Sequence, residues 1–237
     1  MTTKKSPHAR RPIFVPHHVA NRVSTTMIEF DWFPGFSMQQ QQRSISSFHD
    51  TARTLHIASA PLEVSTRSPE ELGRKLSAFN LRVEHPLFGI IPLESAFQSS
   101  KVFSDGGPYL DLAQTDPRTS KRDLRIKHPT GPLKAFRDGD INYPLQPTTS
   151  FYDWLYIQSL ALVEESDLKK LSLRDGFTDI AFNPEKSLNC QAYSVALFVS
   201  LVGDGHMRPW DLDFDTFVKL ANYSSSAHGF VQQRLIE

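Results

Sequence analysis

The sequence predicts a mainly α, compact single-domain fold carrying a few short strands. Three observations lead there. The segments with the clearest start signals are helical, the strand candidates are brief and scattered, and residues 192–201 are almost wholly apolar apart from serines, as a helix through the middle of a core should be. With 237 residues, 39% of them hydrophobic and 22% charged, the chain has the material for one large core.

Residues 1–27 carry Lys4, Lys5, Arg10, Arg11 and Arg22 without a carboxylate and are interrupted by Pro7, Pro12 and Pro16. That composition predicts a basic flexible arm, either solvated or touching phosphates. The remainder, 28–237, reads as one domain. Residues 28–32 alternate weakly and predict a short strand before a turn at Pro34-Gly35. The glutamines at 39–42 lead into a stretch with helical apolar spacing through Ile45, Phe48 and Ala52. A strand is expected around Leu62 and Val64. Ser68-Pro69-Glu70-Glu71 is a capping box with proline at the first helical position, predicting a helix to about residue 77. Residues 94–101 fit a helix anchored by Leu93, Ala96 and Phe97. Between 102 and 143 the chain turns repeatedly through Gly106-Gly107-Pro108, Pro117, Pro129, Gly131-Pro132 and Gly139, so it should wrap a surface or line a pocket. Ser150-Phe151-Tyr152-Asp153 opens a helix to about 165, and Asn183-Pro184-Glu185 opens another that continues into the apolar 192–201 stretch.

Twenty-six basic residues balance 26 acidic ones, so any contact with nucleic acid has to come from a local patch rather than from net charge. One cysteine, Cys190, excludes an internal disulfide framework and a multi-cysteine zinc site, fits a reducing compartment, and is expected to be a buried structural thiol. No apolar run is long enough to span a membrane and the N-terminus lacks a secretory apolar core, which makes the cytoplasm the simplest location. The chain has no G-x-G-x-x-G, P-loop, H-E-x-x-H, C-x-x-C or G-x-S-x-G motif. The His17-His18 pair is poorly placed to clasp a metal, and neither a metal nor a cofactor is expected.

The most informative short segment is Glu94-Ser95-Ala96-Phe97-Gln98-Ser99-Ser100-Lys101. On a helix, Glu94, Gln98 and Lys101 fall at i, i+4 and i+7, so an acid, an amide and an amine share one narrow stripe. Around it, in order, stand Leu76-Ser77-Ala78-Phe79-Asn80, then Ser120-Lys121-Arg122-Asp123-Leu124-Arg125, then Phe177-Thr178-Asp179 and Ser187-Leu188-Asn189. This succession resembles the NADAR (YbiA-like) family, whose members show an L-S-N-F element, an E-x-x-x-Q-x-x-K helix, a K-x-x-x-R segment and a late G-x-N. Trp32-Phe33-Pro34-Gly35-Phe36-Ser37, the stretch from Gln42 to His49, and Phe151-Tyr152-Asp153-Trp154-Leu155-Tyr156 are similar to the branch of NADAR antitoxins encoded beside DarT-type DNA ADP-ribosyltransferase toxins. On that resemblance, residues 28–72 are a branch-specific extension and 73–205 the core. The chain departs from the family at Ala78, which replaces an asparagine, at Ser187 in the late G-x-N, and at Ile180-Ala181, which replaces a tryptophan-glycine.

The resemblance implies an N-glycosidase acting on ribosylated amines, and for this branch the removal of ADP-ribose from ADP-ribosylated guanine in DNA, with ADP-ribose as product and a DarT-type toxin as functional partner. A ribose joined to an exocyclic amine can open to an imine that a lysine amine captures, which assigns Lys101 as nucleophile and Glu94 as proton shuttle. Direct hydrolysis at an oxocarbenium-like ribose is the other route, with Asp179 as partner carboxylate and Lys101 merely binding. For the ADP-ribose itself the expected contacts are Ser77, Phe79, Asn80, Gln98, Lys121, Arg122, Arg125, Trp154 and Asn189. Lys101 must be neutral to attack, so its pKa has to be depressed by burial or by neighbouring cations such as Lys121, Arg122 and Arg125. Two other functions fit less of the chain: a glycosidase of ribosylamino intermediates of riboflavin synthesis, and a non-catalytic module that binds ADP-ribose or the toxin.

Overall fold

The computed structural model describes residues 7–18 and 22–223. Of these residues 40% are helical and 21% lie in strands, arranged in three sheets, so the fold is mixed α+β and the mainly α expectation is corrected. The longest unforeseen strand lies in the supposed arm. Strands β1 (His8–Pro16) and β2 (Val23–Asp31) form an antiparallel hairpin paired along its whole length, from His8 opposite Asp31 to Pro16 opposite Val23. Basic and proline-rich composition hid the apolar core Ile13-Phe14-Val15. The prolines are tolerated because β1 pairs with its second neighbour only at Ile13 and Phe14, leaving Pro12 and Pro16 outside that ladder. Residues 1–6 of the expected arm and 19–21 lie outside the described residues.

The main sheet has the order β2-β1-β9-β3, with β3 (Pro61–Glu63) parallel and β1 antiparallel to the short central β9 (Gly176–Thr178). Alternation along these strands splits two cores. Ile13, Ile28 and Phe30 meet Ile45, Phe48 and Ala52 of helix α1 (Met38–Thr54) on one face. Phe14, Val23, Leu62 and Phe177 join the larger core on the other, which contains α6 (Ser150–Leu160) and α8 (Gln191–Gly203). Both helices are apolar nearly all round, as buried helices are.

The site is carried between these cores and a second layer: α2 (Glu71–Lys75), the hairpin β4 (Arg82–His85) and β5 (Gly89–Pro92), α3 (Leu93–Ser99), and a three-stranded sheet of β6 (Lys101–Phe103), β7 (Leu133–Asp138) and β8 (Ile141–Tyr143). Helices α4 (Pro117–Arg122) and α5 (Leu124–Lys127) lie in the turn-rich segment, with α7 (Glu165–Leu171) and α9 (Phe214–Ala221) further on. Besides the end of α3, three helix boundaries differ from expectation. The capping-box helix at Ser68 starts only at Glu71. The helix from Ser150 stops at Leu160, where the Leu162 and Val163 amides bond back three residues, and α7 follows separately. Asn183 makes a turn by accepting the Glu185 amide, but α8 begins eight residues later at Gln191. Among the described residues no helix is long and apolar enough to cross a membrane.

Candidate active site

Every residue of α3 is buried, which forces its polar members to find partners. Glu94 is 3% exposed and Gln98 4%. The Gln98 Nε2 donates to Glu94 Oε1 at 2.8 Å, and Lys101 Nζ donates to Gln98 Oε1 at 2.7 Å. The helix ends at Ser99, so Lys101 belongs to β6 rather than to a third helical turn, yet the predicted acid, amide and amine do form one relay. The amide sits between the carboxylate and the amine. Burial therefore dominates Lys101 and pushes its pKa down to about 8; Glu94 opposes that shift and the Lys121 cation reinforces it. Lys121 reaches in from α4, 3.3 Å from Glu94 Oε1 and 5.1 Å above the ring of Phe79. Helix α4 is seated on α3 through Ser120, whose Oγ lies 3.4 Å from that of Ser95.

Asp179, immediately after β9, supplies a second carboxylate. Thr178 and Ile180 face α1, so alternation turns Asp179 toward α8, where Gln191 Nε2 donates to its Oδ2 at 2.9 Å. The same Gln191 accepts the Ala78 amide at 2.8 Å, tying the Ser77-Ala78 turn to the site. Burial pushes the pKa of Asp179 up, while Gln191, the Ala181 amide and Lys121 pull it down. Lys121 thus acts electrostatically on Lys101 and Asp179 alike. Behind Asp179, on the α1 side of the sheet, Glu63 accepts from Ser65 Oγ at 2.6 Å, Thr178 Oγ1 at 2.7 Å and the Ile180 amide at 2.9 Å. His49 Nε2 lies 2.8 Å from Thr178 Oγ1 and completes that network.

The other expected contacts divide. Phe79 and Gln98 are at the relay; Ser77 is buried, and its hydroxyl has no partner among the described residues. Asn80 instead donates to the Arg74 carbonyl and closes α2. Arg122 is exposed on α4, whereas Arg125 is clamped by Asp111 and Asp123 over the Tyr109 ring. Trp154 packs among Tyr143, Phe151 and Phe214 in the aromatic core. Asn189 precedes α8, two residues before Gln191. Cys190 is buried, and its surroundings raise the thiol pKa. Sequence reasoning missed Gln191, Glu63 and Tyr152; Tyr152 is a buried phenol packed edge-on to Phe97 and within electrostatic reach of Glu94. Only Tyr152 had a signal, in the Phe151 to Tyr156 phrase. It also missed Arg11, assigned to the arm, which stands over Trp32 and feels both Asp179 and Glu185.

An open groove of about 660 Å³ along α1, lined in part by Gln39, Gln42, Arg43 and Asp50, shares no residue with this cluster and holds no buried amine or carboxylate. Buried polarity, rather than concavity, marks the candidate site. No curated protein matches the chain. The family model of the DarT1-associated NADAR antitoxins matches residues 9–229, taking in nearly all of β1 as well as the relay. The chain is a member of the DarT1-associated NADAR antitoxin family.

Proposed function

We propose that this antitoxin is an N-glycosidase that removes ADP-ribose from ADP-ribosylated guanine in DNA by way of a Schiff base on Lys101. The observation that carries the reading is the Glu94–Gln98–Lys101 relay: an amine with its pKa lowered to about 8, spaced by an amide from a buried carboxylate. A fraction of Lys101 is neutral at pH 7, which a nucleophilic amine requires. Glu94 protonates the ribose ring oxygen as the ring opens, leaving C1′ doubly bonded to the guanine exocyclic nitrogen. Lys101 Nζ adds to C1′, a proton passes to the guanine nitrogen, and the C1′–N bond breaks to restore guanine. Water then adds to the lysine imine, the C1′–Nζ bond breaks, and ADP-ribose leaves with the amine regenerated. Lys121 keeps positive charge beside the relay and faces the diphosphate. Asp179 carries the direct-hydrolysis alternative, since a carboxyl with a raised pKa suits a proton donor.

The test is ADP-ribose release from an oligonucleotide bearing ADP-ribosylated guanine, with and without borohydride. Wild type should release ADP-ribose and yield a borohydride-trapped adduct at Lys101, and Lys101→Ala should do neither. Release that survives Lys101→Ala but fails in Asp179→Asn moves the work to direct hydrolysis. No release by wild type would overturn the glycosidase reading.

A further inference from the structure

Helix α4 buries Ser120 against α3 and turns Arg118, Lys121 and Arg122 outward at i, i+3 and i+4, so the three cations share one face. Lys121 on that face already reaches Glu94, which makes the row continuous with the rim of the site. The three carboxylates of residues 110–127 are all engaged. Asp111 and Asp123 hold Arg125 through its guanidinium, and Asp116 caps α4 by accepting the Arg118 and Thr119 amides. Arg118, Arg122 and Lys127 are left exposed and without an ion pair among the described residues. Elsewhere the fold pairs many of its cations, as at Arg22–Asp204, Arg53–Asp50 and Arg174–Glu70. In a chain whose formal charge sums to zero, an unpaired row at the mouth of a site is a local field for a polyanion. Leu124 stands in the same segment, 72% exposed, an apolar side chain set among cations.

We infer that α4 and α5 form a track for single-stranded DNA, in which Arg118, Arg122 and Lys127 hold backbone phosphates flanking the modified base and Leu124 packs against a neighbouring sugar or base. A base carrying a bulky substituent on its exocyclic amine has to leave the stack to enter a buried site, and a single strand presents it at the smallest cost. From Arg118 to Arg122 the helix advances about 6 Å, a length suited to the few nucleotides beside one target rather than to a duplex face. Phosphate contacts of this kind set affinity and register without reading sequence.

This inference deepens the proposed function, and its test separates the two. Arg118→Gln/Lys127→Gln is measured against wild type for binding of an unmodified, fluorescein-labelled single-stranded oligonucleotide over a range of salt, and for ADP-ribose release from ADP-ribosylated deoxyguanosine. Wild type should bind with strong salt dependence. The double variant should bind on the order of tenfold more weakly, its log–log salt slope smaller by about 1.4, while release from the nucleoside is unchanged. Equal binding by the two proteins, or none by wild type, would overturn the track whatever the chemistry does. A matching loss on the nucleoside would assign these cations to ADP-ribose instead, and absence of nucleoside release in wild type would count against the glycosidase reading alone.

Discussion

Two buried polar clusters lie on opposite sides of β9, and they differ in how many hydrogen-bond partners surround the ionisable group. Around Glu63, three donors converge on one carboxylate, and His49 closes the network from α1. Around Lys101, the amine has a single amide acceptor, its carboxylate is one residue further along the relay, and a second cation leans in from the rim. The first arrangement joins α1, β3 and β9 into one unit and gives Asp179 a fixed backing. The second leaves an ammonium short of compensation, which is poor for stability and useful for a nucleophile. The contrast teaches that buried ionisable groups differ in the partners they are given, and the proposed nucleophile is the one whose set is unfinished.

The sharpest way to break the contrast is Lys101→Met. Release of ADP-ribose should fall on the order of 10³-fold. Stability should move the other way. The folded pKa of Lys101 lies below its unfolded value, so its contribution is favourable above about 10.5 and is lost as pH falls through about 8. At pH 7 the buried ammonium costs up to about 3 kcal/mol, of which methionine should recover about 1 to 2 kcal/mol after the Gln98 oxygen loses its donor. Urea denaturation at pH 7 and pH 10.5 checks this: the variant should be the more stable protein at pH 7 and lose that advantage at pH 10.5. A variant less stable than wild type at pH 7 would make Lys101 a structural partner like those around Glu63.

Glu63→Gln should have the opposite profile, changing stability more than turnover. Burial and the neighbouring Asp179 push the pKa of Glu63 up to about 8, against the pull of its three donors. Raised from 4.5, it contributes stability that is present below about 4.5 and lost as pH rises through about 8. His49, lowered to about 3 chiefly by burial, is neutral across that window and contributes stability lost only as pH falls below about 6.5 toward 3. The glutamine variant should therefore exceed wild type in urea midpoint at pH 9 and converge with it at pH 5, while turnover changes by less than about tenfold. A loss of turnover as deep as that of Lys101→Met would place Glu63 in the chemistry.

How much of this was legible in the sequence depended on whether the signal was local. The acid, amide and amine of the relay could be found because helical spacing alone brings Glu94 and Gln98 together, and Lys101 stays within reach even though α3 ends at Ser99. The α1 helix and the β3 strand followed from apolar spacing. The hairpin of β1 and β2 was lost because a segment rich in prolines and cations looks solvated, and only pairing with residues more than 150 positions away shows that Ile13 and Phe14 enter the main sheet. Gln191 and Glu63 were invisible for the same reason: a glutamine bridging Asp179 to the Ala78 amide is a tertiary fact. Trp154 and Arg125, which residue type suggests as ligand contacts, have neighbours the sequence could not show, aromatic packing for the first and two carboxylates for the second.

The smallest expected effect refines what unfinished compensation means. Lys121 is half exposed, so its field at Lys101 is partly screened, yet it lowers the same pKa that burial lowers. Lys121→Gln should raise the pKa of Lys101 and move the rising limb of the pH–rate profile upward by less than about one unit. At pH 7 the variant should therefore be slower by less than about tenfold, and by pH 9.5, where Lys101 is largely neutral in both proteins, the rates should meet. Rates measured at saturating modified oligonucleotide across that range separate two roles for the cation. Recovery at high pH makes Lys121 a tuner of the amine, whereas a deficit that is constant with pH makes it a contact to the diphosphate. In the latter case burial alone accounts for the neutral fraction of Lys101, and the cluster around Lys101 differs from that around Glu63 only in the partners it lacks.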